Sequence, residues 1–414
     1  MAFPFIAHAQ QQGLNLNIGQ PVEISTATDR ITSEGSLSMD PNDPEHLAYA
    51  FLSAKIVDNG VNYFTQVIET FDRGKSWKHL DRSKTSEAAD PWCMIKQDGS
   101  ILMMDISEGS KYHLTTQLKK TSDQKWQEPY SYGYRFDHGM IIRSDWSDQF
   151  LTMATQAGTS DSTVTGSTLM LKLFRGSGDN GQRLDVKPFQ NAGFNAKNAV
   201  FDLNDNICIP ILIRDRIVEG QYVRMEHYPL WMIRLNEYGH LMDAPGFITD
   251  QADNRHHWLI GSNLKNGEHH LHLFYTSYRK SGIYHQKSID GGMSWLKPVR
   301  IDNGQSKWSD LASAAVNKIG ILIVIWTERM SEGCYQKFVS VSNTRGASFT
   351  NPIALHKKMS CPDSTNGWVR RAWPQGGDYC GTVAVSESEF ITIWSGAQSG
   401  QFKLYQNIIS MSDE

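Results

Sequence analysis

Short apolar stretches alternate with polar turns along this chain, and the same order returns roughly every 50 residues. The strongest apolar runs are His46-Leu-Ala-Tyr-Ala-Phe51, Ile101-Leu-Met-Met104, Phe150-Leu-Thr-Met-Ala154, Ile207-Cys-Ile-Pro-Ile-Leu-Ile213, His270-Leu-His-Leu-Phe-Tyr275, Ile321-Leu-Ile-Val-Ile-Trp326 and Phe390-Ile-Thr-Ile-Trp394. Each follows a weaker stretch that opens on polar residues. These openings are Glu34-Gly-Ser-Leu-Ser-Met39, Asp90-Pro-Trp-Cys-Met94, Asp137-His-Gly-Met-Ile-Ile142, Asn198-Ala-Val-Phe201, His256-His-Trp-Leu-Ile260, Asp310-Leu-Ala-Ser-Ala314 and Gly377-Asp-Tyr-Cys-Gly381. A turn rich in Asp, Asn or Gly separates the two, and a return strand comes after. The pattern predicts an all-β chain built from seven copies of one antiparallel unit.

Some copies share a turn motif as well. Thr70-Phe-Asp72-Arg-Gly74-Lys-Ser76-Trp77 and Ser288-Ile-Asp290-Gly-Gly292-Met-Ser294-Trp295 both read S/T-x-D-x-G-x-S-W. Ser342-Asn-Thr-Arg-Gly346-Ala-Ser348-Phe349 is a weakened third copy, and Thr121-Ser-Asp123-Gln-Lys-Trp126 a ragged fourth. In such a turn the Asp accepts from backbone N–H groups, Gly supplies a positive φ and the aromatic packs back under the hairpin. The motif resembles the Asp-box of the sialidase-like, or BNR-repeat, β-propellers. That resemblance implies a seven-bladed β-propeller with four-stranded antiparallel blades. The segment near Pro21-Val-Glu-Ile24 would complete the last blade, so that both chain ends close the ring and remove exposed sheet edges. Residues 16–414 then form one domain, and residues 1–15 a leader remnant or disordered N-terminus.

The composition narrows function without naming it. A formal charge of −4 over 414 residues gives no whole-chain attraction for nucleic acid or an anionic membrane. No apolar run nears the roughly 18 residues of a spanning helix. The start, with small residues Ala7 and Ala9 around His8, resembles the tail of a secretory leader, and the chain is read as a secreted or periplasmic monomer. Its five cysteines are odd in number and scattered, so a disulfide framework is not expected.

In a propeller the innermost strands open onto a common funnel, opposite the face that carries the Asp-box turns. The polar openings would bring Glu34, Asp90, Asp137, His138, Lys197, Asn198, His256, His257, Asp310, Asp378 and Tyr379 there, and the ends of second strands would add Arg214, Tyr275 and Arg279. Lys197, Asn198, His257, Tyr275, Arg279 and Tyr379 are the expected substrate contacts. Arginine forks suit carboxylates and sulfates, so an anionic saccharide is the expected partner. A carboxylate pair drawn from Glu34, Asp90, Asp137 and Asp310 would suit a glycosidase. The parts of a sialidase are incomplete: Arg30-Ile31-Thr32 stands where that family has Arg-Ile-Pro, and no Tyr/Glu nucleophile pair falls on neighbouring blades.

The chain more closely resembles the seven-bladed propeller lyases that cut rhamnose–uronate linkages, the ulvan lyases among them. The resemblance rests on His113 in Lys-Tyr-His-Leu-Thr, His138 in Phe-Asp-His-Gly-Met and Arg214 in Ile-Leu-Ile-Arg-Asp. It implies β-elimination: Arg214 offsets the uronate carboxylate while a neutral imidazole removes the C5 proton. That family's acid is a Tyr at the opening of the fourth blade, whereas Asn195-Ala-Lys197-Asn198 stands here, leaving the acid unassigned. A propeller that only binds carbohydrate is the rival from another class. His270, His272, His285 and Cys334 fall on neighbouring strands and could close a tetrahedral zinc site, and the lyase resemblance implies a structural zinc in this region.

Overall fold

The computed structural model describes residues 14–24, 31–57, 60–80, 88–107, 113–123, 125–157, 166–176, 181–263, 268–277, 281–367 and 369–413. Strands dominate. The first sheet orders Ile31–Met39, Leu47–Val57, Gly60–Thr70 and Lys78–Leu80 side by side, all antiparallel, in chain order. The same up-and-down order recurs in Ala88–Ile95 to Tyr130–Tyr134, in Phe136–Arg143 to Gln182–Val186, and in Ser309–Val316 to Ile353–Ala354. Between the last two of these lies a nine-stranded sheet. Its long strand Gly246–Asn263 pairs through its first half with Tyr228–Leu235 and through its second half with His269–Ser277.

The first strands neighbour one another in sequence. Ile31–Met39 lies beside Ala88–Ile95, which lies beside Phe136–Arg143; Gly246–Asn263 lies beside Ser309–Val316, which lies beside Gly381–Ala384, and that strand in turn touches Ile31–Met39. Second strands are apolar along their whole length because sheets pack on both of their faces. Leu47–Val57 is buried from Leu47 to Ala54, and Leu322–Ser331 from Leu322 to Glu328. The core is accordingly a set of wedges between sheets. One wedge holds Ala48, Ala50 and Val67 against Cys93, Ile95 and Met103; another holds Ile323, Ile325 and Val339 against Phe390, Trp394 and Ile409.

Both chain ends share the last sheet. Leu14–Ile18 pairs in register with Ile409–Asp413, and Val22–Glu23 pairs with Tyr405 and Gln406. The N-terminal contribution thus begins at Leu14, inside the span expected to be a leader or disordered, and reaches beyond Pro21–Ile24. Apolar Leu16 and Ile18 explain it, since both are buried in the wedge between the last two sheets.

The Asp-box turns carry the expected contacts. Asp72 accepts from Thr70 Oγ1 at 2.6 Å, Ser76 N at 2.9 Å and Ser76 Oγ at 2.5 Å, and Asp290 repeats this with Ser288 and Ser294. In the third copy Thr344 Oγ1 takes the place of the carboxylate and accepts from Ser348 N at 2.8 Å. The fourth copy lies partly outside the described residues.

Candidate active site

A defect in strand pairing builds the funnel. In five first strands the register against the second strand slips near the start: between Thr32 and Gly35, Ala89 and Trp92, Asp137 and Met140, Ala252 and His257, and Leu311 and Ser313. A bulge frees residues from the ladder and re-aims their side chains. The freed residues include Glu34, Asp90, His138 and His256. Asp90 and His138 also hold positive φ values of 50° and 55°. Such strain costs about 1–3 kcal/mol and clusters at functional sites.

Asp90, His138, Lys197, His256 and Asp378 line one cavity with an aromatic wall of Trp92, Trp258 and Tyr379. The Trp92 ring lies 5.9 Å from Trp258 and 5.6 Å from Tyr379, whose hydroxyl donates to Pro91 O. Oxygens of Asp90 and Asp137 and a ring nitrogen of His138 fall within 4.8 Å of one another. Lys197 Nζ stands 3.0 Å from both ring nitrogens of His138, and Asp137 Oδ2 is 3.4 Å from Nε2.

These neighbours set the protonation pattern. Burial and then repulsion from Asp137 push the Asp90 carboxyl up to about 7, although Lys197 opposes the rise. Desolvation also acts on Asp137, but His138, Lys197 and Arg214 outweigh it and hold that carboxyl below its ordinary value. Two adjacent carboxyls are therefore driven apart in acidity. Burial, reinforced by the Lys197 charge, lowers His138 to about 4, so its imidazole is neutral. His256 goes the other way. Burial disfavours its charge, yet Asp310 at 2.9 Å and Asp378 at 3.5 Å carry it up to about 9. Asp378 is held low by the same contact, and its backbone N–H donates to Glu34, whose buried carboxyl lies well above its usual range. Asp90, Asp137 and His138 offer three donors suited to a cation, with the Lys197 ammonium already occupying the imidazole side.

Of the residues expected from the sequence, Asp90, His138, Lys197, His256, Asp378 and Tyr379 line this cavity. Asn198 lies outside the cavity lining: its amide donates to Leu259 O at 2.5 Å and accepts from Leu259 N at 2.9 Å, a strut between neighbouring strands. His257 and Tyr275 also lie outside the cavity lining, each being about 1% exposed. His257 contacts Pro210 O at 3.3 Å, while Tyr275 stacks on Tyr284. Arg214 is not among the residues lining the cavity: its Nε donates to Asp215 at 2.7 Å, and its charge reaches Asp137. His113 begins the third strand of its sheet, opposite Ser107 and Tyr134, with its ring 6.2 Å from Tyr134 and outside the cavity lining. Arg279 lies outside the described residues. Sequence reasoning gave no role to Trp92 and Trp258 or to His256 as a fixed cation, although Asp90-Pro91, His138-Gly139 and Glu34-Gly35 carry the bulge signal of a polar residue beside Pro or Gly.

The zinc ligand set is not assembled. Cys334 is disulfide-bonded to Cys361, one bridge where the scattered cysteines give no expectation of a disulfide framework. His272 Nδ1 lies 3.0 Å from His285 Nε2, so that one proton bridges the rings, and the His272 Nε2 faces Ser262 Oγ. His270 stands apart, its ring centre 6.3 Å from that of His272.

No family model and no curated protein matches the chain. Among solved structures, a protein of unknown function from Dyadobacter fermentans is similar over 96% of this chain and 99% of its own, at TM-score 0.53 and 10% identity. The Hadza microbial sialidase Hz136 matches at TM-score 0.48 and 10% identity over 95% of this chain and 96% of its own. The NanB sialidase of Streptococcus pneumoniae gives 0.48 and 10% over 94% and 97%. At these identities the likeness is one of fold alone.

Proposed function

We propose that this chain is a carbohydrate-active enzyme that cleaves a glycosidic bond in the funnel, with Asp90 as proton donor and Asp137 as the ionised partner. The architecture behind this reading is a seven-bladed ring, the nine-stranded sheet counting as two blades. One observation carries the chemistry: two carboxyls within 4.8 Å, one raised to about 7 and the other held low. A pair split this way divides the labour of glycoside hydrolysis. The protonated member gives its proton to the leaving oxygen, and the anionic member attacks or stabilises the sugar carbon. One oxygen of each carboxyl lies within 4.8 Å of the other, nearer the spacing that goes with retention of configuration than the wider one of inverting pairs. Trp92, Trp258 and Tyr379 offer apolar faces for sugar rings. Arg214 and Arg224 share the single carboxylate of Asp215, which supports a substrate with an anionic group. The Cys334–Cys361 bridge supports an oxidising, extracytoplasmic location.

β-Elimination beside a uronate is the second reading. The neutral His138 imidazole next to the Lys197 ammonium favours it, since one could take the C5 proton while the other offsets the carboxylate. It ranks second because a base lowered to about 4 is weak at neutral pH. Incubation with uronate-containing polysaccharides separates the readings. Hydrolysis yields reducing ends of retained configuration, elimination adds the ultraviolet absorbance of an unsaturated uronate, and a binding protein yields neither. Asp90→Asn and Asp137→Asn should each lower turnover by at least about 10². Parental turnover in both variants on a verified substrate removes the hydrolytic reading.

A further inference from the structure

Two carboxylates hold His256, and only one of them faces the ligand space. Asp310 lies 2.9 Å from Nδ1 with its side chain 4% exposed, whereas Asp378 lies 3.5 Å from Nε2, is 35% exposed and lines the cavity. The nearer contact fixes the imidazolium. The longer one leaves Asp378 most of its power to accept, since a carboxylate offers about four lone-pair sites. Among the described residues its oxygens pair only with His256 Nε2 and Gln375 Nε2, each at 3.5 Å. Burial works against its charge, but His256 and Lys197 outweigh that and keep it ionised. Its backbone is pinned. The Asp378 N–H donates to Glu34 Oε2 at 3.0 Å, and a Cβ at Gly377 would stand 2.4 Å from Glu34 N, so the loop is seated directly on the strand Ile31–Met39. The next residue, Tyr379, sets its ring 5.6 Å from that of Trp92 and is tied to Pro91 O by its hydroxyl. An ionised acceptor with spare lone pairs therefore stands one residue from the aromatic wall, in a loop held at both its backbone and its ring.

We infer that Asp378 is a specificity-determining residue, accepting hydrogen bonds from two neighbouring hydroxyls of a pyranose ring whose apolar face rests on Trp92, Trp258 and Tyr379. A sugar ring carries C–H groups on its faces and hydroxyls at its rim, so a wall of aromatics beside a carboxylate meets both parts of one ring. Hydroxyls bond a charged acceptor more strongly than a neutral one. A site built to bond a hydroxyl also rejects the analogue that lacks it, because its own polar group is then left unpaired. The unit admitted to the cavity is thus chosen by its pair of adjacent hydroxyls. The inference rests on the reading that the funnel takes a sugar, and does not depend on which of Asp90 and Asp137 gives the proton.

Calorimetric titration of the full chain with the methyl glycosides of glucose, galactose, mannose and glucuronic acid tests it. At least one should bind saturably, and removing either of two neighbouring hydroxyls from that sugar should weaken it at least about tenfold. This comparison of the sugar with its 2-, 3- and 4-deoxy forms needs no variant. Asp378→Asn removes the charge, while Asp378→Glu keeps a charge for His256 and moves the oxygens. Both should weaken the sugar by at least about tenfold and bring the deoxy forms level with it, an effect that a merely structural role would not produce. Absence of saturable binding by all four glycosides, deoxy forms that bind the parent chain as well as the sugar does, or Asp378 variants that still discriminate against them, overturns the assignment. Turnover is read separately. A chain that binds the glycoside through Asp378 yet cleaves no glycosidic bond removes the hydrolytic reading and keeps this one, whereas hydrolysis of a verified substrate at parental KM in both Asp378 variants does the reverse.

Discussion

Asp90 shows how a single side chain trades stability for chemistry. Its carboxyl titrates near 7 in the folded chain against about 4 in an unfolded one, so between those values the native state holds the extra proton. Stability from this group is present at low pH and lost as pH rises through 7. Asp90→Asn should therefore melt higher than the parent at pH 8, with the gap closing near pH 4, while turnover collapses. Thermal melts across pH check this, and a parent that melts equally high at pH 8 refutes the strain. If Asp90 is the acid, kcat/KM should also fall above about pH 7, because the donor must be protonated. The His272–His285 pair carries the opposite sign. Burial takes His285 down to about 3 and pulls His272 below its ordinary value too. The unfolded chain binds more protons below about 6.5, so stability drops as pH falls from there toward 3. His285→Gln should flatten that acid limb.

Among elements, the turns and bulges divide the work. Asp-box turns close the outer hairpins and bulges aim the funnel side chains. Gly346 has φ of 84°, and a Cβ there would stand 2.4 Å from the His285 ring; Gly220, at φ 74°, has nothing within 4 Å. Gly220→Ala should cost about 1 kcal/mol of backbone strain alone. Gly346→Ala should cost more, about 2–4 kcal/mol, because a rigid ring packed between Phe274 and Phe349 must shift as well. Denaturant midpoints of the two variants decide it. The third Asp-box, reading Thr344 for Asp, keeps the geometry because the turn needs an oxygen acceptor rather than a charge.

For the molecule as a whole, stability depends on distant partners. His256 draws its charge from Asp310, on the next first strand, and Asp378, in the loop before Gly381–Ala384, and that stability is complete below about pH 6.5 and lost as pH rises through 9. Together with the Asp90 effect this places the decline on the alkaline side; His256→Gln should remove the part between pH 7 and 9. The Cys334–Cys361 bridge encloses a separation of 27 residues and precedes the segment that delivers Asp378 and Tyr379. Chain-entropy arguments put its contribution at about 3.5 kcal/mol. Reduction, or Cys361→Ser, should lower the denaturation midpoint accordingly, while an unchanged midpoint would mean that the segment is held by its other contacts.

Strand positions, the recurrent unit, the Asp-box turns and the polar openings were all legible in the chain, because each depends on neighbours a few residues apart and on the two-residue period of a strand. Even the candidate carboxylates Asp90 and Asp137 stood out as polar residues heading apolar strands. Their protonation did not, since it comes from desolvation and charge supplied by other sheets: Lys197 meets His138 from 59 residues away, and Asp378 meets Glu34 across 344. Nor could spacing tell that Asn198 spends its amide on Leu259, or that Cys334 prefers a sulfur to three imidazoles. Such choices are made where separate strands converge, and local sequence carries no measure of that distance.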